Sequence, residues 1–258
     1  MDYQAIRVWN RNGVAVITLK RPEVMNALNT QMRAEITHAV KALQTEARVI
    51  VMTGQGKSFC SGQDLGDGGN AASLDLERTL RDEYVPMLRA IVDSKIPTIA
   101  AVNGPAAGAG ANLALAFDVV LASEDAYFVQ AFTRIGLIPD AGGTFFLPRQ
   151  MGTARAMGAA LFADKISAQQ AADWGMIYEC VPTADFEARW QDRAAQLANG
   201  PTAAYGHLKA AMKESASNTF EKQLAVEAKL QGKCGQTRDF QEGVVAFLEK
   251  RPAKYEGR

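Results

Sequence analysis

The sequence predicts an α/β fold: a largely parallel sheet with crossover helices, followed by a helical tail. Short apolar runs of strand character alternate with segments of helical spacing along the first two thirds, which is the order of parallel strands joined by right-handed crossovers. From Phe186 onward only helical spacing appears. A content of 48% hydrophobic and 22% charged residues over 258 positions supplies ample core material and no signature of disorder. The expectation is a β/α core over residues 1–198 and a helical region over 199–258.

In chain order, "AIRVWNRNGVAVITLKRP" reads as a hairpin, because alternating apolar residues flank Asn12-Gly13 and Pro22 closes the second strand. In "NTQMRAEITHAVKAL" the residues Met32, Ile36, Ala39, Val40 and Leu43 share one helical face. "RVIVMTG" and "IPTIAAVNG" are short buried strands; between them, residues 74–94 read as a helix after the Gly-rich loop "LGDGGNAAS". "FDVVLAS" and "MIYECVP" complete the strand set, each after a helix-like segment. The second of these helices opens at "SAQQ", a capping box of Ser167 and Gln170. In the tail, Phe186, Trp190 and Leu197 share a face, as do Phe240, Val244, Phe247 and Leu248, and Asn199-Gly200-Pro201 separates two helices. Such a tail covers a neighbouring element or packs on another subunit.

Several function classes are disfavoured. Lys+Arg and Asp+Glu are 28 each, and this balance leaves no electrostatic footprint for nucleic acid or an anionic membrane. An anionic ligand must therefore be caught by local charges or backbone dipoles. Cys60, Cys180 and Cys234 are odd in number and far apart, so they form no disulfide framework and no metal-ligand spacing. His38 and His207 fall in helix-like segments and read as surface or core residues. With no leader in "MDYQAIRVWN" and no apolar run of membrane-spanning length, the expected location is cytoplasmic. "TGQGKS" fails as a phosphate loop because Val51 stands where a Gly is required, and "GAGANL" fails as a dinucleotide fingerprint at Leu113. No Gly-x-Ser-x-Gly elbow is present.

Three stretches remain. "FCSGQDL" (59–65) and "NGPAAGAGANLALA" (103–116) each follow a strand and leave backbone N–H groups unpaired. Two such donors converging on one point make an oxyanion hole; tight packing of a helix on a sheet demands the same small residues. In "TRIGLIPDAGGTFFLPR" (133–149) a single carboxylate, Asp140, sits between Pro139 and Gly142-Gly143. Turn chemistry alone accounts for an Asp there, and so does a catalytic role.

Taken together and in order, "RPEVMNALN", "GKSFCSGQDL", "AAVNGPAAGAGANLALAFDVVLAS" and "GLIPDAGGTFFLPR" resemble the crotonase (enoyl-CoA hydratase/isomerase) superfamily, from about residue 5 to the C-terminus. The resemblance implies a spiral of ββα units with a C-terminal helical trimerisation region, acyl-CoA thioesters as ligands, and a homotrimer or a dimer of trimers. It places the two oxyanion-hole donors on the backbone N–H groups of Gln63 and Ala109. Such donors stabilise a thioester enolate more than its ground state. Ser61 and Asp64 would line the adenine and turn region of CoA, and Ala27, Gly110, Asn112, Phe132 and Pro139 complete the implied substrate-binding set. No metal or cofactor is implied beyond the CoA that the substrate carries, with its phosphates on Arg or Lys side chains.

Departures from the pattern select the chemistry. The two glutamates with which hydratases of this superfamily hold and split water fall on Asn112 and Phe132 here, so a hydratase loses both its acid and its base. Asp140 matches the acid of members that shift double bonds. Its flanking residues Ile138, Ala141, Phe145 and Phe146 are expected to desolvate it and raise its pKa. The runs "FVQAFTRIGLIPDAGGTFFLPR", "ARAMGAALFADKISAQQAADWGMIYECV" and "FQEGVVAFLEKRPAKYEG" are similar to the branch that isomerises 1,2-epoxyphenylacetyl-CoA to an oxepin thioester in phenylacetate catabolism. Phe145 and Phe146 suit a flat ring. Three other readings stay open: a β,γ-to-α,β enoyl-CoA isomerase, a hydratase using Glu83 or Asp82, and a non-catalytic acyl-CoA-binding protein.

Overall fold

The computed structural model describes residues 2–66 and 75–258; positions 67–74, most of the Gly-rich loop read from the sequence, lie outside the described residues. Strands β1 (Ile6–Arg11) and β2 (Val14–Leu19) pair antiparallel from Ile6↔Leu19 to Arg11↔Val14. Asn12 and Gly13 both take positive φ, 53° and 77°, which is the turn geometry that matches the twist of a hairpin. From β2 onward the main sheet is parallel, through β3 (Val49–Gly54), β4 (Thr98–Val102), β6 (Val119–Ser123) and β9 (Glu179–Val181).

Alternate strand residues serve two cores, as the period of two requires. Ala15, Ile17, Ile50, Met52, Ala100, Val102, Val120 and Ala122 face the larger one. It is closed by α1 (Thr30–Leu43), α3 (Val85–Val92) and α4 (Ala109–Leu115). The opposite face, including Val49, Val51, Ile99, Ala101 and Leu121, packs on Phe186, Trp190, Ala194 and Ala198 of α8 (Phe186–Ala198), with Leu197 half-buried beside them. Asn29 caps α1 by accepting the Met32 N–H at 2.9 Å. The buried stripe of α1 contains the five apolar residues expected, and also Arg33 and Glu35. Glu35 accepts the N–H groups of Gln4, Ala5 and Ile6, which anchors the first strand.

The helix expected over 74–94 is α2 (Leu76–Thr79) and α3, joined by a π-helical turn at Leu80–Tyr84. Periodicity does not reveal such a turn, because one extra residue in the ring leaves the apolar pattern nearly intact. A second sheet of β5 (Ala106–Ala107), β7 (Tyr127–Val129) and β8 (Ile166–Ser167) was not foreseen, since two or three residues are too few to show an alternation. Helices α5 (Gly143–Met151), α6 (Thr153–Phe162) and α7 (Ala168–Asp173) follow; Ser167 caps α7 by accepting the Gln170 N–H at 3.1 Å.

The tail forms α9 (Thr202–Ser215), α10 (Phe220–Cys234) and α11 (Arg238–Glu249). No residue of α9 or α10 is buried. The three helices enclose an open apolar groove of about 1100 Å³, into which Leu208, Met212, Leu224, Phe240, Val244 and Phe247 project. Among the described residues no helix is long and apolar enough to cross a membrane.

Candidate active site

The two Gly-containing turns after β3 and β4 meet. The loop at residues 60–64 is zipped along one edge to Leu28, whose N–H donates to the Gly62 carbonyl (2.7 Å) and whose carbonyl accepts the Asp64 N–H (3.1 Å). That pairing turns the Gln63 N–H to the opposite side. On the second loop, Gly108 precedes α4 at φ 52° and ψ −126°, which only glycine adopts readily, and its N–H donates to the Val129 carbonyl. Ala109 thereby opens the helix with an N–H that has no acceptor in its own turn. Gly62, at φ 94°, lies between the two: a Cβ there would stand 2.8 Å from the Ala107 carbonyl oxygen and 3.3 Å from the Ala109 nitrogen. The Gln63 and Ala109 N–H groups thus open onto one cavity with no protein acceptor among the described residues.

That cavity, about 300 Å³, is walled by Ser61, Gln63 and Leu65 of the first loop, by Ala107 to Ala109, by Leu76, Thr79, Leu80 and Tyr84 of the π-interrupted helix, and by Phe132, Leu137 and Asp140. Asp140 is its sole carboxylate among the described residues. The Oδ1 atom of Asp140 is buried without a hydrogen-bond partner. Burial pushes its carboxyl up to about 6, against a weaker lowering effect from its own backbone N–H. The peptide that carries it is pinned: its carbonyl accepts from Asn112 Nδ2 at 2.7 Å and from the Gly143 N–H at 2.8 Å. The Oδ1 of Asn112 in turn accepts from Gln130 Nε2 at 2.9 Å, deep in the core.

Of the residues singled out from the sequence, Ser61, Gln63, Ala109, Phe132 and Asp140 share this cavity. The other five stand outside its wall, each for a packing reason. Ala27 is buried, and its carbonyl accepts from Arg21 at 2.7 Å; Asp64 pairs with the same guanidinium at 2.8 Å. Gly110 is buried against Cys60, Asn112 lies beneath Asp140, and Pro139 is buried. Of the four expected desolvators, Ala141 is buried and Phe146 is half-buried against the core, while the other two need correction. Ile138 is 76% exposed and Phe145 is 51% exposed, with the Phe145 ring against Arg149; Phe146 stacks edge-on with Phe145. Asp140 shares its cavity with Leu80 and Tyr84, distant in sequence, and with Phe132, eight residues before it, and the Phe145–Phe146 pair is not part of that wall.

Glu83, weighed as a substitute acid, is committed elsewhere. Its carboxylate accepts from Arg33 Nη2 (2.6 Å) and Nε (3.0 Å). Burial alone would raise its pKa, yet the Arg33 hydrogen bonds and charge, with help from Thr30 and Arg78, hold it below the ordinary range. Asp82 is exposed. The residues missed from the sequence are Tyr84, Leu80 and Arg33. A signal for Arg33 existed: it is a cation three and seven residues before Ile36 and Val40, on the apolar stripe of α1.

A carboxyl raised by burial destabilises the fold at high pH. Below about pH 3.8 both folded and unfolded chains hold this proton; as pH rises toward 6 the unfolded chain ionises first, and above 6 the full penalty applies. Its size is on the order of 2 kcal/mol. Asp140→Asn is therefore expected to raise the urea midpoint near pH 8 and to leave it unchanged near pH 3.5. Equal midpoints at both pH values would mean the carboxyl is not desolvated.

Among the described residues this cavity combines two main-chain donors without protein acceptors and one desolvated carboxyl, groups suited to stabilising an oxyanion and transferring one proton. Comparison with known proteins identifies the family. The family model for enoyl-CoA hydratase/isomerase matches residues 10–258. A "Probable enoyl-CoA hydratase" of Rhodobacter capsulatus is 60% identical over the full length of both chains. The 1,2-epoxyphenylacetyl-CoA isomerase of Escherichia coli is 42% identical over 95% of this chain and 96% of its own. The crystal structure of an enoyl-CoA hydratase from Polaromonas superposes with a TM-score of 0.92 at 32% identity, covering 98% of this chain and 100% of that one.

Proposed function

Because the chain belongs to the enoyl-CoA hydratase/isomerase family, the crotonase superfamily, we propose that it is an acyl-CoA isomerase in which Asp140 carries one proton between two carbons of a single bound enolate. The thioester oxygen sits at the Gln63 and Ala109 N–H groups. The ionised carboxylate removes a proton from the carbon next to the thioester, the electron pair moves onto the carbonyl oxygen, and the same proton returns to a carbon further along the conjugated system. Atoms are conserved and no redox partner is required, so the substrate's own CoA is the only cofactor-like group invoked. One observation carries the reading: among the described residues a single carboxylate with a buried, unbonded oxygen lines the same cavity as Gln63 and Ala109, whose N–H groups have no protein acceptor there.

The acyl group we favour is the ring 1,2-epoxide of phenylacetyl-CoA, converted to its oxepin isomer. The carbon–carbon bond shared by the epoxide and the six-membered ring breaks as its electron pair joins the ring double bonds, giving the seven-membered oxepin, and the proton moves from the carbon beside the thioester to a ring carbon. The 42% identity to the isomerase of that name supports it, as does a compact wall of Leu80, Tyr84, Phe132 and Leu137. Hydration is the second reading, since a relative of 60% identity carries a hydratase name. Hydration needs a base for the water and an acid for the carbon. Here Asn112 is spent on the Asp140 carbonyl and Phe132 offers no proton. The apolar groove of α9 to α11 is read as the surface on which copies assemble into a trimer or a dimer of trimers.

Mass-resolved turnover of a ring-epoxide thioester, 3-enoyl-CoAs of several lengths and crotonyl-CoA, with light scattering on the same samples, separates these readings. The expected outcome is conversion of the ring and 3-enoyl substrates without change of mass, by an assembly of three or six chains. Products heavier by one water would establish a hydratase, preference for long 3-enoyl chains an aliphatic isomerase, and binding without turnover a carrier.

A further inference from the structure

Gln63 contributes more than a main-chain donor: its side chain is gripped from two directions. Tyr84 donates its hydroxyl to Gln63 Oε1 at 2.7 Å, and Arg33 Nη1 donates to the same oxygen at 2.9 Å. Both lone pairs of that oxygen are thereby used. The same Arg33 nitrogen donates to the Leu28 carbonyl at 2.6 Å, the residue to which the loop backbone is zipped. The guanidinium itself is 2% exposed, held by Glu83 and Thr30 and stacked 4.9 Å from the centroid of the Tyr84 ring. Tyr84 emerges from the π-helical turn and lines the cavity beside Asp140. Three elements (α1, the π turn and the loop after β3) therefore converge on one amide oxygen three bonds beyond the side chain's first carbon.

We infer that Arg33 and Tyr84 are positioning residues, which clamp the Gln63 side chain so that its N–H stays aimed at the substrate oxygen while the reaction proceeds. The inference rests on the reading of Gln63 N–H as an oxyanion donor. A loop residue free to rotate would carry its N–H away from the oxygen, and a donor pre-aimed at developing charge is the one that lowers the barrier. A buried cation fixed by a carboxylate, a carbonyl and an aromatic face is suited to this, because none of its bonds is exchanged for water as substrate enters. The clamp acts on the transition state: the donor's aim matters most where the oxygen carries full charge.

Tyr84→Phe keeps the ring, the stacking and the cavity wall while removing the hydroxyl; Gln63→Met removes the acceptor while keeping the backbone N–H. Tyr84→Phe is expected to lower kcat about tenfold, the scale of one neutral hydrogen bond, and Gln63→Met by at least as much because it also deletes the Arg33 bond, each with KM within about twofold. The double variant should lose no more than Gln63→Met alone, because that substitution already deletes the bond that Tyr84→Phe removes. In an Asp140→Asn background, which retains bound substrate, infrared spectra of the thioester carbonyl should show a shift to lower frequency that Tyr84→Phe diminishes. A shift that persists unaltered in Tyr84→Phe, with unchanged kcat or with losses that multiply in the double variant, overturns the clamp and leaves the oxyanion hole standing. No shift even before Tyr84 is changed overturns the oxyanion reading and the clamp with it. Gln63→Met reads the same bond from its other end, so a Tyr84→Phe chain that failed to fold would not protect the inference.

Discussion

Asp140→Asn is expected to lower turnover by about 10²–10⁴-fold, the usual worth of a positioned acid/base, while acyl-CoA affinity changes little. The substitution is nearly isosteric, and the two hydrogen bonds that pin this residue run to its main-chain carbonyl, so Asn112 and Gly143 keep their hold. What disappears is the one carboxylate that lines the cavity among the described residues. No other carboxylate lines it among the described residues, and Glu83 is neutralised by Arg33. In the parent, kcat/KM should climb as pH rises through about 6, where the base ionises, and then level off. The variant should lose that limb. Steady-state rates on the substrate identified by the screen, across pH and beside calorimetric binding, measure both effects; a variant retaining more than about a tenth of parental kcat would remove Asp140 from the proton path.

The second large effect is expected from Gly110→Ala. A Cβ at this position would lie 2.3 Å from the Cys60 carbonyl oxygen, 2.7 Å from its sulfur and 2.8 Å from its carbonyl carbon. Relief would require Cys60 to move. Yet its N–H donates to the Pro105 carbonyl and its own carbonyl accepts the Ala107 N–H, which fastens it to the strand before Gly108. The two loops must therefore separate. A loss of about 3 kcal/mol follows from overpacking a rigid contact, with Tm lower by roughly 6–12 °C for a chain of this size. Since Gly110 directly follows Ala109, that separation also spreads the two N–H donors, and misplacement of about an ångström can cost about a hundredfold in kcat. Gly158→Ala is the control: nothing lies within 4 Å of its added methyl, and the site falls inside α6. An unchanged Tm and kcat in Gly110→Ala would show that the loops are not in hard contact.

Local chemistry made much of this legible. Asn12-Gly13 announced its hairpin, Ser167 its helix, and the alternation of strands and helices its parallel sheet. The candidate site was legible only where a motif had a local cause, as at Gly62, Gly108 and Asp140. What surrounds Asp140 was misjudged because adjacency in sequence was taken for adjacency in space. Ala141 and Gly142 take positive φ in succession, 48° and 84°, and the chain turns away so that Ile138 and Phe145 face outward. Leu80 and Tyr84, which share the Asp140 cavity, come from a helical segment more than fifty positions earlier, and its π turn leaves no mark on periodicity. Asn112 was similarly ambiguous: the sequence showed a non-titratable residue, while its work as a brace for the Asp140 peptide depends on a distant partner, Gln130.

In the function proposed above, the electrophile-holding half of the pocket is drawn in backbone, at Gln63 and Ala109, whereas the proton-moving half is a replaceable side chain at Asp140. Side-chain drift at 109 leaves the first half untouched, provided the glycines that bend the chain there survive and no imino acid intrudes. Evolution can thus reassign the reaction by rewriting a few wall positions around an unchanging anchor for the thioester, which makes this scaffold a natural starting point for redirected acyl chemistry.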